Sequence, residues 1–282
     1  MQVWDVHEIT PEFGSEITGF HADLLSDAAI RSTLKDLFDR RAVLVFQNLE
    51  ITHAQQTDLC MLFSGEEAPP EAESRGDGWY ISNDRPNAAA PFGRLQFHSD
   101  MMWSDKPCEV LSLYGIDIEQ PVVPTTFASA VQAWSTLPED LRVRVDGLSA
   151  VHTAGEVRRG NVEDVLGSRV EQPPSTVKPV ALPHPRTGES ILYACEQMTQ
   201  EIVGLPGEES EQLLVELFEH LYRPASLLHH EWRKQDLVIW DNLALQHARP
   251  NVRSDGPRRT LRKVASFIPP LSLNQRPVHS TV

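Results

Sequence analysis

Two imidazoles and one carboxylate place the tightest demand on how this chain can fold. His98-Ser99-Asp100 sets two metal-ligating groups two residues apart, and His247 stands about half the chain away in Trp240-Asp241-Asn242-Leu243-Ala244-Leu245-Gln246-His247. In an extended strand, residues two apart share a face, so His98 and Asp100 can grip one ion together. A histidine from a distant strand would complete a triangular ligand face with three coordination positions open. That is the donor set of a non-haem iron(II) oxygenase.

The short motif alone is weak, because the chain holds two near-copies, His21-Ala22-Asp23 and His229-His230-Glu231. Neither has a distal partner in comparable context. The first is expected in a turn before an amphipathic helix, and the second on a surface or in local packing. His98-Ser99-Asp100 differs because a charge partner follows its third ligand. Eleven residues past His247 comes Arg258, in Arg258-Arg259-Thr260-Leu261-Arg262-Lys263-Val264. Read as a strand, this run puts Arg258, Thr260, Arg262 and Val264 on one face and Arg259, Leu261 and Lys263 on the other. Inward arginines are costly unless anions meet them, and a dicarboxylate suits the planar guanidinium. The expectation is that Arg258 faces inward, with Arg249, Arg253, Arg259 and Lys263 forming a solvated basic edge.

Further landmarks stand in order along the chain. They are Phe13-Gly14-Ser15-Glu16-Ile17-Thr18-Gly19-Phe20, Arg41-Ala42-Val43-Leu44-Val45-Phe46, Phe97-His98-Ser99-Asp100-Met101 and Pro124-Thr125-Thr126-Phe127. His184-Pro185-Arg186-Thr187-Gly188-Glu189-Ser190-Ile191-Leu192-Tyr193 and Asp236-Leu237-Val238-Ile239-Trp240-Asp241-Asn242 follow. With these, the chain resembles the taurine dioxygenase and 2,4-D dioxygenase family of iron(II)/2-oxoglutarate-dependent oxygenases over nearly its whole length. The resemblance implies Fe(II) on His98, Asp100 and His247, with 2-oxoglutarate and O2 as cosubstrates. It implies that Arg258 binds the distal carboxylate of 2-oxoglutarate and that Thr125, twenty-seven residues after His98, assists it. Val122-Val123-Pro124 departs from the Gly-Gly-Asp that often precedes this threonine. Arg262 falls where some members bind the anionic group of the prime substrate. The carboxylate at Asp100, where related halogenases have a small residue, implies hydroxylation, or a desaturation, ring expansion or cyclisation begun by the same hydrogen abstraction.

With 282 residues, the chain is long enough for one large domain spanning 1–282. A net charge of −15 argues against nucleic acid or an anionic membrane as partner. No apolar run approaches a bilayer span and no secretory signal opens the chain. Cys60, Cys108 and Cys195 are an odd, separated set that suggests reduced thiols in a cytoplasm. Homo-oligomerisation is left open.

A helix is expected from Ser26 as cap, with Ile30, Leu34, Leu37 and Phe38 on one face. A buried strand at 42–46 and a second helix from near Thr52 to before Gly65 follow. Residues 65–97 read as a long connection with a short strand at Trp79-Tyr80-Ile81, and 153–177 as a second loop; either is a lid candidate. Strands are expected at 109–118, 237–240 and 260–268, and helices at 135–145 and 208–221. Many strands with helices before and between them suit an α+β fold with a mainly β core. The architecture expected is a double-stranded β-helix, the jelly-roll, cupin-like barrel, buttressed by helices on one sheet.

Candidate substrate contacts are Arg262, Arg94, Tyr80, Asn83, Met101, Met102 and Trp103. The sulfonate-binding pattern is absent at Arg94, so a small organic acid or carboxylated secondary metabolite is expected rather than taurine. Two rivals remain, a cupin-type metal-dependent hydrolase or isomerase and a non-catalytic ligand-binding barrel.

Overall fold

The computed structural model describes residues 4–64, 80–86, 88–154 and 173–267. In chain order the first half runs β1 (Asp5–Glu8), β2 (Ser15–Thr18), α1 (Ala28–Arg41), β3 (Val43–Phe46), α2 (His53–Ser64), β4 (Tyr80–Ser82), β5 (Gly93–His98), β6 (Cys108–Ile118) and β7 (Thr125–Ser129). Next come α3 (Ala130–Ser135), α4 (Glu139–Val145), β8 (Ser149–Thr153), β9 (Ser175–Pro179), β10 (Ala181–Pro183), β11 (Ser190–Leu192) and β12 (Thr199–Ile202). The chain ends with α5 (Gly207–Leu221), β13 (Leu227–His230), β14 (Leu237–Asp241), β15 (Leu245–Val252) and β16 (Arg259–Phe267).

Two sheets form a double-stranded β-helix. The larger has the order β1-β2-β3-β14-β6-β16-β4, the smaller β13-β7-β15-β5. Pairing is antiparallel throughout both except between β2 and β3. Alternation along the strands of the large sheet sorts its side chains between two cores. Val43, Val45, Leu111, Leu113, Val238, Trp240, Leu261 and Ala265 face Phe127, Leu228 and Leu245 of the small sheet. Leu44, Phe46, Val110, Tyr114, Leu237, Ile239 and Val264 face outward, where Leu34 and Phe38 of α1 and Leu59, Cys60 and Phe63 of α2 cover them. The large sheet is therefore buried on both faces. A third core beneath the small sheet packs α3, α4 and α5 through Ala133, Leu141, Leu213, Leu214 and Leu217. Among the described residues no helix is long and apolar enough to cross a membrane.

Several local expectations change. Asp27, not Ser26, caps α1: its Oδ1 accepts from the Ala29 N–H at 2.7 Å, while the Ser26 hydroxyl donates back to the Asp23 carbonyl. A carboxylate suits the exposed N–H groups and positive end of a helix better than a hydroxyl already used in the preceding turn. The helix expected at 135–145 is α4, which starts at Glu139 with Pro138 at its N-cap, and a separate short helix, α3, ends at Ser135 before it. Residues 93–97, assigned to a connection, are strand β5, and the short strand near Trp79 is Tyr80–Ser82. Residues 65–79 and 87 of the first lid candidate and 155–172 of the second lie outside the described residues, as does Ile268.

Candidate active site

β15 runs between β7 and β5 and pairs His247 directly with His98. The two rings lie 4.2 Å apart between centroids. β5 stops at His98, so Asp100 is not carried by an extended strand as expected. A turn delivers it, with Met101 in a left-handed conformation (φ 59°). Asn242 holds that turn: its Oδ1 accepts from the Asp100 N–H at 3.0 Å, and its Nδ2 donates to the carbonyls of Asp100 at 3.1 Å and Cys108 at 2.9 Å. The outcome is a group of His98, Asp100 and His247 whose ligand atoms all lie within 4.8 Å of one another.

The donor chemistry suits a divalent metal. The Gln96 carbonyl at 2.8 Å takes the His98 Nδ1 proton, which leaves the Nε2 lone pair 3.5 Å from Asp100 Oδ1. Burial, and then the neighbouring His98, push the His247 pKa well below its ordinary value, so the ring is neutral, as a ligand must be. Its Nδ1 is buried with no hydrogen-bond partner among the described residues. Burial works against charge on Asp100, yet the Lys263 ammonium beside it holds its carboxyl well below the usual range.

These groups open onto a cavity of about 420 Å³ with an apolar wall of Ile81, Leu95, Leu113, Met198 and Trp240. Five polar side chains stand apart from the triad on its lining: Thr125, Gln197, Arg249, Arg259 and Lys263. Arg258 is not among them. Its side chain is 54% exposed and meets Asp117 at 3.3 Å and Glu119 at 3.5 Å on the outer surface. Arg259 is the inward arginine, 3% exposed and donating to the Thr125 hydroxyl at 3.2 Å. The division of the strand into two faces was right; the choice of inward face was not. β16 lies between β6 and β4, and its Arg259, Leu261, Lys263 and Ala265 point to the cavity side while Val264 joins the core under α2.

Arg262 is corrected with Arg258. It lies on the helix-covered face, donating to Gln56 Oε1 at 2.7 Å and the Ile51 carbonyl at 3.1 Å, with its guanidinium 4.8 Å from the Tyr114 ring centre. Other expected substrate contacts are also absent from the lining. Arg94 is exposed, and Tyr80 is stacked under Arg85. Asn83 braces the loop before β16 through the Arg253 and Pro257 carbonyls and the Arg259 N–H. Met102 is buried in a separate core with Trp103 packed against it, and Met101 packs on the inter-sheet core. Arg249 and Lys263 are not a solvated edge. Arg249 is 5% exposed and bonded to the carbonyls of Ala90, Phe92 and Gly93. The two near-copies have local partners: His229 Nδ1 sits 2.9 Å from the Thr126 hydroxyl, His230 pairs with Asp236, and Ala22–Ser26 is a short 3-10 helix.

Sequence reasoning left Trp232 without a role. Its Nε1–H donates to Thr125 Oγ1 at 2.9 Å, and the Arg259 guanidinium lies 5.8 Å from its ring centre. Thr125 thus accepts from both Trp232 and Arg259, which occupies both lone pairs and leaves its own O–H to donate to a ligand. Burial, then the charge of Arg249, push Arg259 down to about 9, and it stays charged at neutral pH. No carboxylate pairs with Arg249 or Arg259 among the described residues. A buried pair of guanidiniums without counter-ions is a receptor for an anion.

A profile of the family described as taurine catabolism dioxygenase TauD, TfdA family matches residues 5–265. The chain belongs to the TauD/TfdA family. It is 29% identical over 268 residues to an (S)-phenoxypropionate/alpha-ketoglutarate-dioxygenase of Sphingobium herbicidovorans, covering 86% of this chain and 88% of the relative. It is 28% identical to an alpha-ketoglutarate-dependent 2,4-dichlorophenoxyacetate dioxygenase of a Burkholderia species, covering 79% and 80%. The crystal structure of a taurine dioxygenase from Burkholderia xenovorans superposes with a TM-score of 0.74 at 25% identity, covering 94% of this chain and 91% of that one. The fold is that of the TauD/TfdA dioxygenases.

Proposed function

We infer that this TauD/TfdA family member is an Fe(II)- and 2-oxoglutarate-dependent dioxygenase that oxidises a C–H position of a small carboxylate-bearing molecule. One observation carries the reading: an iron-type triad and a buried Arg259, which has no carboxylate partner among the described residues, line one cavity with the Thr125 hydroxyl. The triad alone would suit a hydrolase. The guanidinium–hydroxyl pair beside it suits the far carboxylate of a keto-diacid.

His98, Asp100 and His247 would hold the ferrous ion. Together with 2-oxoglutarate and O2, that ion supplies oxidative decarboxylation to succinate and carbon dioxide, and the oxidising power for a C–H bond. The protein does the rest. Arg259 and Thr125 bind and orient the cosubstrate, with Trp232 aligning the threonine. Leu95, Leu113, Met198 and Trp240 shed water from the reacting centre. Beside Arg259 the cavity carries two more cations, Arg249 and Lys263, and Arg249 takes the place first given to Arg262 for the anionic group of the prime substrate. Relatives named for phenoxypropionate and 2,4-dichlorophenoxyacetate support an aryl or alkyl carboxylate as the class. Residues 1–282 would work as one catalytic unit in the cytoplasm, with small molecules rather than nucleic acid or membrane as partners.

The test is succinate release from 2-oxoglutarate under air, screened across small carboxylic acids. Fe(II)-dependent release stimulated by one acid, and lost in Asp100→Ala, is the expected result. Turnover of an acid without oxygen or 2-oxoglutarate would instead establish the hydrolase or isomerase reading.

A further inference from the structure

Lys263 projects from β16 beside the triad, and its Nζ donates to Asp100 Oδ2. Asp100 Oδ1 faces His98 Nε2 at 3.5 Å, so the two carboxylate oxygens serve different partners. The lysine side chain is 25% exposed and lines the cavity, and among the described residues it pairs with no other carboxylate. A carboxylate enclosed in a cavity wall needs a counter-charge, and Lys263 is the cation that touches it.

We propose that Lys263 is a stand-in cation: its ammonium neutralises Asp100 until a divalent ion arrives, and metal loading displaces it into the substrate cavity. This rests on the reading that His98, Asp100 and His247 hold a metal. A divalent ion bound at Asp100 repels an ammonium on the same carboxylate. An arginine fork would resist such a move, whereas the four-carbon lysine stem with a compact charge can swing. The cavity of about 420 Å³ offers the displaced group room and water. Metal uptake is then an exchange of one cation for another. The freed ammonium gives the loaded site an anion receptor that the metal-free site lacks. By linkage, an anion that captures Lys263 tightens metal binding to the same degree.

The experiment is a calorimetric titration of the metal-free full chain with Co(II) alone, using wild type, Lys263→Met, Lys263→Gln, Lys263→Arg and His247→Ala. Removing the competing cation is expected to tighten Co(II) binding at least tenfold in Lys263→Met and Lys263→Gln. Lys263→Arg, whose fork resists displacement, is expected to bind Co(II) more weakly than wild type. The metal-free Met variant should also unfold at lower temperature than wild type, and the two should converge once Co(II) is bound. Equal or weaker binding in both neutral variants overturns the proposal, and weaker binding would make Lys263 a residue that orients Asp100. Co(II) binding that survives intact in His247→Ala, or is missing from wild type, overturns the metal-site reading itself, and the lysine proposal with it.

Discussion

Arg259 sits in the interior against a tryptophan ring and a threonine hydroxyl, while its neighbour Arg258 lies among surface carboxylates. Only the first can lose a bound anion. A hydrogen bond to a charged group contributes about 2–3 kcal/mol, so Arg259→Ala should raise the 2-oxoglutarate KM roughly 30- to 150-fold. Arg258→Ala, whose exposed ion pairs contribute about 0–1 kcal/mol to stability, should leave that KM within about twofold. Steady-state succinate release against 2-oxoglutarate concentration measures both. Thr125→Val tests the hydroxyl assignment separately. It keeps the shape, removes the donor to the ligand and leaves Trp232 Nε1–H without its acceptor, so the same KM should rise about tenfold. The residue types at these positions were legible in the chain, and so was their grouping by strand face. Which of two adjacent arginines is buried was not, because alternation has a period but no absolute phase.

The link between β14 and β15 carries more of the site than its motif suggested. Asn242 ties Asp100 and Cys108 to the end of β14, and Asp241 Oδ1 accepts the Leu243 and Ala244 N–H groups at 3.0 and 2.9 Å, shaping the turn that leads to His247. Both ends of the triad therefore hang from two consecutive side chains. Asn242→Leu should leave the Asp100 turn unheld, cost about 2–3 kcal/mol of stability and weaken metal binding at least tenfold. Chemical denaturation and a Co(II) titration would show it. Asn242→Asp should recover less than half of the metal affinity, since a carboxylate can accept from the Asp100 N–H but cannot donate to the two carbonyls. A strand run from Phe97 through Asp100 looked reasonable from alternation, and it was the turn chemistry of Met101 and the reach of Asn242 that overrode it.

Across the molecule, one buried cluster joins parts far apart in the chain. His184 Nε2 lies 2.9 Å from Asp241 Oδ2, and Arg186 pairs with Asp241, Asp39 and Glu109. Burial opposes charge on Asp241, but His184 and then Arg186 outweigh it and bring the carboxyl down to about 2. His184 is raised: burial lowers it, and Asp241 more than compensates. Asp241 therefore stabilises the fold above its unfolded value near 4, and that contribution is lost as pH falls toward 2. Charged His184 stabilises it fully below about 6.5, and that part is lost as pH rises through the raised folded value. Stability should peak between about pH 4 and 6.5, and Asp241→Asn should flatten both flanks in denaturation curves recorded from pH 3 to 9. What the order of residues alone decided was the list of groups: two histidines and a carboxylate, paired arginines, a threonine, and a β-rich pattern that wants a two-sheet barrel. What tertiary structure decided was the direction each group faces. The large sheet is covered on both sides, by α1 and α2 on one and by the small sheet, with the cavity between, on the other. Hydrophobic alternation therefore could not tell inside from outside, and only the seating of β16 between β6 and β4 turned Arg259 and Lys263 toward the site.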